Sequence, residues 1–453
     1  MEQNKTRRAV ELGKDALILL LTVSALWLAA QTPLAAPLRS LLREESGQAA
    51  PGQVQGGDWG LGAVPMAMVV NLTGGPGLPD GAEMPGGAER VRCGLRYDQA
   101  ACQELFQRVA SPLAEVLSSA GAPEHISRSQ WERALTSAFG VYMDFQGQIP
   151  MPVLAGWLSG GETDVNATVR RLILTAEEGR VNLYYRDEAD GSCYRCHSEV
   201  ADPYSLSGAL TGLTDNGAFY AFESEQYQEL DPDTLLLPDT PAPEVYTAAN
   251  PVSGGQGALE ALVQDMGFSL NSTSFYSTDE QVARSGDDSV RLSDWGMAQY
   301  LYEGRGGAGL FPVLRQGDAG TLFDSVETCR RLALSAIGTR CGEARLYLMS
   351  AVKTDEGWEI SFGYSLNGIP VLLDRGYAAR FLVAEGQIVQ FSLQLRSYTA
   401  SGSTQPVLPP RQGAAAAAAR NLRGAELLLT YTDSGSDTLA AGWSAKTGGP
   451  GEE

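Results

Sequence analysis

The sequence predicts an α+β protein in which a single N-terminal transmembrane helix is followed by extracytoplasmic domains of helices packed on antiparallel sheets. Three observations lead to this prediction. An apolar run follows a basic leader, several segments repeat apolar residues at helical spacing, and five segments of strand character follow one another between residues 344 and 398.

The first element is the membrane segment. Basic residues such as Arg7 and Arg8 precede the apolar run 16–30, "ALILLLTVSALWLAA", and continuation to residue 38 supplies the length that a span of roughly 20 residues needs. Positive charge before the run favours keeping that end inside. We therefore predict a single-pass protein of the cell membrane with a cytoplasmic N-terminus. A cleaved signal peptide is the alternative, because Ala29-Ala30 and Ala35-Ala36 resemble cleavage sites.

Shifts in composition divide the rest of the chain. Gly, Gln, Ala and Ser dominate the first linker, and Pro and Asp the second. The predicted segments are a leader 1–15, an anchor 16–38, a linker 39–60, a first extracytoplasmic domain 61–228, a Pro/Asp-rich linker 229–251, a second extracytoplasmic α+β region 252–446 and a disordered tail 447–453.

The first domain is predicted to open with two helices, at 101–121 and 127–139. We expect Pro112 to interrupt the first helix. Ser127 or Ser129 is expected to cap the second, with Glu132 completing a capping box after Ser129. A strand, a turn at Asp190-Gly191 and a second strand follow.

The second region is predicted to lay a helix, 321–337, on an antiparallel meander. Its strands cover 344–352, 358–366, 369–374, 379–384 and 387–398, and Asn367-Gly368 is a strong hairpin signal. In the last strand, Phe391, Leu393 and Leu395 alternate with polar residues, which indicates one buried and one solvent-exposed face. A helix at 411–422 and strands at 425–433 and 437–445 complete the region.

Six cysteines fall into three pairs that are close in sequence: Cys93/Cys102, Cys193/Cys196 and Cys329/Cys341. An even number in an exported chain predicts disulfides, although their connectivity stays open. Cys193-Tyr-Arg-Cys196-His197 also fits C-x-x-C-H, the attachment pattern of c-type haem. The motif stands alone, on the returning strand of a short hairpin, so the haem protein is a remote third alternative.

Composition and motifs exclude several functions. The net charge is −21, from 54 acidic and 33 basic residues, and no basic stripe suggests a nucleic-acid partner. A zinc site would need a second C-x-x-C or a His pair. With two histidines and no G-x-S-x-G, Walker or H-E-x-x-H motif, the sequence supports no enzymatic activity. We therefore predict a non-enzymatic protein without metal or cofactor.

The predicted functional residues lie on one side of the membrane helix. Ala25 and Ala29 form a small-xxx-small pair beside Ser24, which permits close approach of a second helix. The predicted helix–helix contacts are Leu20, Leu21, Ser24, Ala25, Leu28 and Ala29.

Several stretches resemble the YycH/YycI-type regulators, accessory proteins of the sensor kinase in the essential cell-wall two-component system of Gram-positive bacteria. They are the leader 1–30, "MGFSLNSTSFY" at 266–276, "VRLSDWGMAQYLYEG" at 290–304, "GYSLNGIPVLL" at 363–373, "ARFLVAEGQIVQFSLQLRSY" at 379–398 and "LLLTYTDSGSDTLAAGWSA" at 427–445. The ending Ala-Ala-Gly-Trp443 and the three cysteine pairs depart from that pattern.

The resemblance implies a regulator of a sensor histidine kinase that controls cell-wall metabolism. Its partners would be that kinase and, as a second candidate, a paralogous regulator, contacted through the membrane helix and the extracytoplasmic domains. The alternative is a tethered surface binding or peptidase-inhibitory module, in which the anchor only holds the outer domains at the membrane.

Overall fold

The computed structural model describes residues 63–72 and 91–447, apart from gaps at 161, 178, 199, 254–255, 269–272, 276–279, 305–308 and 315–320. The predicted anchor 16–38 lies outside these residues. None of the helices within the described ranges combines the length and apolar character that crossing a bilayer requires.

The N-terminal half mixes helices and strands. In chain order they are β1 (Ala67–Leu72), β2 (Val91–Arg96), α1 (Gln99–Ser119), β3 (Glu124–Ile126), α2 (Arg128–Leu135), β4 (Phe139–Pro150), α3 (Met151–Ser159), β5 (Thr168–Glu177), β6 (Arg180–Asp187), β7 (Cys193–Ser198), α4 (Pro203–Ala209), β8 (Phe219–Tyr220) and β9 (Leu235–Leu236).

The C-terminal half is richer in strands. Its elements, again in chain order, are β10 (Glu244–Ala249), α5 (Gln256–Asp265), β11 (Thr273–Phe275), β12 (Glu280–Ser285), β13 (Asp288–Ser293), β14 (Met297–Tyr302), α6 (Leu322–Ala333), β15 (Arg345–Lys353), β16 (Trp358–Leu366), β17 (Ile369–Leu373), β18 (Ala379–Ala384), β19 (Gln387–Gln394), β20 (Ser397–Thr404), α7 (Pro410–Ala419), β21 (Ala425–Asp433), β22 (Thr438–Leu439) and β23 (Ala441–Thr447).

A seven-stranded antiparallel sheet organises the N-terminal half, in the order β2-β1-β4-β5-β6-β7-β3. Helices α1, α3 and α4 contact one side of it, and α2 packs on the other through the fully buried Trp131. Because both faces are covered, its central strands are buried along almost their whole length.

Helix α1 differs from its prediction because it passes through Pro112 without a break. Proline removes one backbone hydrogen bond, but Val109, Leu113 and Val116 on the same helix are buried in the core. Packing of this face therefore holds the helix together across the proline.

Helix α2 confirms one of the two predicted caps. Ser127 is the N-cap, and it forms a capping box with Gln130. Glu132, the residue predicted to close the box, instead accepts a hydrogen bond from Nε of Arg128 at 2.9 Å. The sequence therefore identified the capping region but not the residue pair.

The second sheet has eleven strands. Its order is β11-β12-β13-β14-β19-β18-β16-β17-β21-β23, and β15 pairs with β16 outside this path. All pairs are antiparallel except β17 with β21, where Val371 stands beside Tyr431. Helix α6 contacts β16, β18 and β19 from one side and continues as a π-helical turn, Leu334–Gly338, which together match the predicted helix 321–337.

The five strands of the predicted meander are present, but β18 pairs with β16 rather than with β17, so they do not follow one another across the sheet as in a simple meander. The last strand also differs. The expected strand 387–398 ends at Gln394, and the chain leaves the sheet at Leu395 and Arg396. Strand β20 then joins a three-stranded sheet in the order β20-β10-β22. Buried Tyr398 anchors this departure, because its hydroxyl donates a hydrogen bond to Asp433 at 2.8 Å.

The segment 229–251, predicted as a linker, contains β9 and β10. Leu235 and Leu236 of β9 are buried and pair with β8, and β10 pairs with β20 and β22. The described residues belong to one compact unit. The domain boundaries drawn from composition remain a prediction.

Candidate protein-interaction surface

The two sides of the large sheet differ in what covers them. On one side, Phe381, Phe391 and Tyr300 are buried, and α6 packs there. On the other side, the side chains of β12, β13, β14, β19, β18, β16 and β15 alternate outward to solvent. We call this solvent-facing side the open face. Antiparallel sheets commonly expose one side to solvent. The residues on the open face therefore decide whether it is a candidate contact surface.

A row of directly paired residues crosses five strands of the open face. Leu301 of β14 pairs with Gln390 of β19, which pairs with Leu382 of β18. Leu382 in turn pairs with Glu359 of β16, which pairs with Val352 of β15. Paired residues point to the same side of a sheet. The open face thus carries apolar side chains on every second strand.

The three apolar members of this row, Leu301, Leu382 and Val352, form what we call the apolar row. Leu301 and Val352 are 44% and 51% exposed, respectively, and Leu382 is half-buried. Single exposed apolar residues are ordinary on protein surfaces. Their even repetition along one row is what makes this part of the open face a candidate contact surface.

A hollow of about 430 Å³ opens on the same face. Its walls include Glu359, Tyr377, Arg380, Leu382, Gln390 and Ser392. Arg380 forms an ion pair with Glu359 across neighbouring strands, and its hydrogen bond to that carboxylate raises the pKa of the guanidinium. The central charges of the hollow are therefore already paired, and Leu382 provides an apolar contact beside them.

Charge is distributed unevenly over the open face. Asp355 and Glu356, both exposed, form the turn between β15 and β16 beside the hollow. At the opposite end, Arg284 on β12 and Arg291 on β13 are exposed, and Arg291 lies 4.0 Å from Glu280 of β12. The end beside the turn is therefore acidic, whereas the opposite end carries charges of both signs.

A second hollow, of about 410 Å³, lies on the other side of the Asp355–Glu356 turn, next to the N-terminus of α6. Lys353 on its wall lies 5.2 Å from the ring centroid of Trp358. Thr321 and Asp324 form a capping box at the start of α6, so backbone N–H groups there are already engaged. The helix start is therefore unsuited to anion binding, and the second hollow is the weaker candidate.

A buried ion cluster lies between the two sheets. Arg170 on β5 donates to Asp144 at 2.9 Å and to Glu426 at 2.6 Å. Its neighbour Arg171 lies 2.9 Å from the same Glu426 and 3.4 Å from Asp233. Burial by itself lowers the pKa of an arginine, but the surrounding carboxylates raise the pKa of both above the ordinary value. Every member of this cluster has an opposite charge beside it, so the cluster fastens the sheets together and is not a site for acid–base chemistry.

The C-x-x-C-H motif forms no haem site. Cys193 and Cys196 lie on β7, and residues three apart on a strand face opposite sides. Cys193 packs in the cluster with Trp131, and Cys196 in the core on the other side of the sheet. Attachment of one porphyrin through both sulfurs would require them on the same side, so this alternative is wrong.

The expected disulfides are not formed, since all six cysteines are buried free thiols. For Cys193 and Cys196 the opposite-facing strand positions explain this directly. Burial raises the pKa of Cys102 and of Cys196 to about 12. These thiols act as small apolar core residues. In the described part of the chain, no group of three or more His, Cys, Asp or Glu side chains could hold a metal ion.

The residues predicted as helix contacts, Leu20, Leu21, Ser24, Ala25, Leu28 and Ala29, lie outside the described residues. The structure instead draws attention to the open face, which the sequence analysis did not single out. The sequence signal for it was the alternation in β19, where buried Phe391 and Leu393 flank Ser392. That pattern indicated a wet face but not which residues of neighbouring strands share it.

No protein-family profile matches the sequence, and no curated protein matches it. Among solved structures, the crystal structure of YycH from Bacillus subtilis matches with a TM-score of 0.51 and 10% sequence identity, covering 89% of this chain and 98% of that chain.

The fold is YycH-like. The two chains share architecture over nearly the whole length of YycH, which agrees at the level of fold with the resemblance read from the sequence. At 10% identity, the match shows the fold alone and assigns no residue of the open face.

Proposed function

We propose that this chain is a membrane-anchored, non-enzymatic regulator of a two-component sensor histidine kinase that controls cell-wall metabolism. It sits in the cell membrane with its N-terminus in the cytoplasm and its bulk outside. It acts through contacts of its transmembrane helix and of its extracytoplasmic part, with the kinase and a paralogous regulator as partners.

The observation that carries the proposal is the YycH-like fold across 89% of the chain. The resemblance of the leader and of five internal stretches to YycH/YycI-type regulators points in the same direction.

The mechanism is a shift in the population of kinase states. A helix that packs better beside one arrangement of the kinase's membrane helices favours that arrangement by the difference between its two binding free energies. Coupling of about 1–3 kcal/mol is typical between linked sites. Ala25 and Ala29 allow the close helix approach that such a preference needs.

The testing experiment is site-specific photo-crosslinking in live cells from positions 24, 25, 28 and 29, with the partner identified by mass spectrometry. Val23 and Leu26 serve as matched controls, since they lie on the other side of the predicted helix. We expect crosslinks to the membrane helices of a histidine kinase from the first set and far fewer from the second.

Two results would contradict the proposal. Crosslinks to lipid alone from all six positions would show that the anchor only tethers the chain. Full activity after replacement of residues 16–38 by an unrelated anchor would lead to the same conclusion, and the tethered binding module would then stand in its place.

A further inference from the structure

We infer that the open face binds an amphipathic helix of the partner protein, which lies across the strands with apolar residues at seven-residue intervals and basic residues beside the Asp355–Glu356 turn. The shape of the occupant follows from the sheet. Its identity as part of a kinase or paralogous regulator rests on the proposed function.

The spacing of the apolar row favours a helix. Leu301 and Leu382 lie two strands apart, and so do Leu382 and Val352. Adjacent strands are about 4.7–4.9 Å apart, so successive apolar side chains repeat at about 9.6 Å. Seven residues of an α-helix rise about 10.5 Å and bring side chains back to nearly the same face. Residues i, i+7 and i+14 of one helix can therefore contact the three apolar side chains in turn.

An extended partner segment fits this surface less well. Side chains on one side of a strand repeat at about 6.6–6.8 Å, which is out of step with the apolar row. A strand would also need free backbone groups, whereas the open face presents side chains of strands already paired on both sides, apart from edge strands such as β15.

The hollow gives the helix a place to insert. Leu382 and Gln390 of the crossing row line it, together with Tyr377 and Arg380. A large apolar side chain at the middle contact position would fill part of its volume of about 430 Å³ and cover Leu382. Buried apolar anchors of this kind provide most of the binding energy at protein interfaces.

Charge complementarity fixes the chemistry of the helix ends. Arg380 is occupied by Glu359, so Asp355 and Glu356 dominate the acidic end of the face. The other end carries Arg284 and the ion pair of Arg291 with Glu280. A partner helix with lysine or arginine at one end is therefore attracted in a single orientation, with that end beside Asp355 and Glu356.

The test is photo-crosslinking with benzoylphenylalanine placed at position 301, 382 or 352 of the full-length chain in its native cells. We expect all three positions to crosslink to one partner segment, at sites about seven residues apart and in the order 301, 382, 352. Val200, which follows β7, and Tyr204 of α4, exposed by 76% and 64%, are the matched control positions. They should not crosslink to that segment.

A second experiment tests the role of charge. It uses the double variant Asp355→Lys with Glu356→Lys in the chain that carries benzoylphenylalanine at position 382. We expect the crosslink yield to fall at least about tenfold, since the variant reverses the charge that attracts the basic end. Asp239→Lys, at an exposed site away from the open face, should leave the yield unchanged.

The outcomes separate the inference from the proposed function. Crosslinks at strand-like or scattered spacing, or no protein crosslink from positions 301, 352 and 382, would overturn the inference, even if positions 24–29 reach a kinase. Crosslinked sites seven residues apart on a protein that is neither a kinase nor a paralogous regulator would support helix binding at the open face. The same result would contradict the proposed function.

Discussion

Arg170 on β5 and Glu426 on β21, 256 residues apart in sequence, form a buried two-point ion pair. The two terminal nitrogens of Arg170 lie 2.6 and 2.8 Å from the two carboxylate oxygens of Glu426. Such two-point pairs are among the strongest charge-assisted hydrogen bonds. This pair connects the seven-stranded sheet to the eleven-stranded sheet, so its loss should affect the whole described fold.

Glu426→Ala should lower the free energy of unfolding by about 3–5 kcal/mol, because it leaves Arg170 and Arg171 buried with less compensating charge. Urea unfolding of the full-length chain in detergent measures this change. Glu356→Ala, at an exposed turn position, is the matched control and should change stability by less than about 0.5 kcal/mol. Equal effects of the two variants would contradict the assigned role of the ion pair.

Stability should also decrease in acid because of Glu426. Burial alone would raise its pKa, but Arg170 and Arg171 outweigh burial and hold the pKa below the ordinary value of 4.5. A carboxyl with a lowered folded pKa stabilises fully above its unfolded pKa, and this contribution is lost as the pH falls toward the folded pKa.

We therefore expect the contribution of Glu426 to be constant from about pH 7 to about pH 5.5 and to shrink below about pH 4.5. The measurement is the free energy of unfolding at several pH values, for the natural chain and for Glu426→Gln. The variant should show a shallower decline in acid. Parallel curves would show that other carboxyls cause the acid loss.

A close contact between β4 and β15 supplies a steric prediction. A Cβ atom on Gly147 would lie 1.8 Å from the carbonyl oxygen of Leu348, so Gly147→Ala forces two backbones apart. We expect the free energy of unfolding, measured by heat or urea, to fall by about 1–3 kcal/mol. Gly208→Ala on α4 meets open space and should stabilise by about 0.5–1 kcal/mol. An unchanged free energy of unfolding for Gly147→Ala would mean that β4 and β15 can move apart without loss of stability.

The thiols should be protected in the folded chain. All six cysteines are buried, and the pKa of Cys102 and of Cys196 is raised to about 12 by burial. Because the thiolate is the reactive form, we expect little reaction with a thiol-specific reagent at about pH 8 in native buffer and reaction of all six in urea. Fewer than six in non-reducing urea would reveal disulfides in the purified protein.

Local signals in the sequence predicted the strands of the second region well. Asn367 and Gly368 have φ values of 49° and 78°, the left-handed conformation that an Asn-Gly hairpin turn needs. The parallel pairing of Val371 with Tyr431 could not be predicted in this way. The two residues belong to separate segments, and only the tertiary packing of the intervening chain brings them together.

For the candidate surface, too, local sequence signals predicted single strands but not their pairing. The solvent-exposed face of β19 was evident from Ser392 between buried Phe391 and Leu393. The apolar row was not, because Leu301 and Val352 come from strands whose register with β19 and β16 the sequence does not specify. The arginine pair of β5 was missed for a related reason, since its partner Glu426 lies near the other end of the chain.

The late position of Glu426 has a consequence for synthesis. At about 5–20 residues per second, the ribosome needs on the order of tens of seconds to make the 256 residues that follow Arg170 and end at Glu426. During this time β5 can pair with β4 and β6, and Asp144 of β4 is available to its adjacent arginines, but Glu426 is not. The nascent chain thus completes the ion cluster around β5 only when β21 arrives, and chaperones have a long interval in which to bind it.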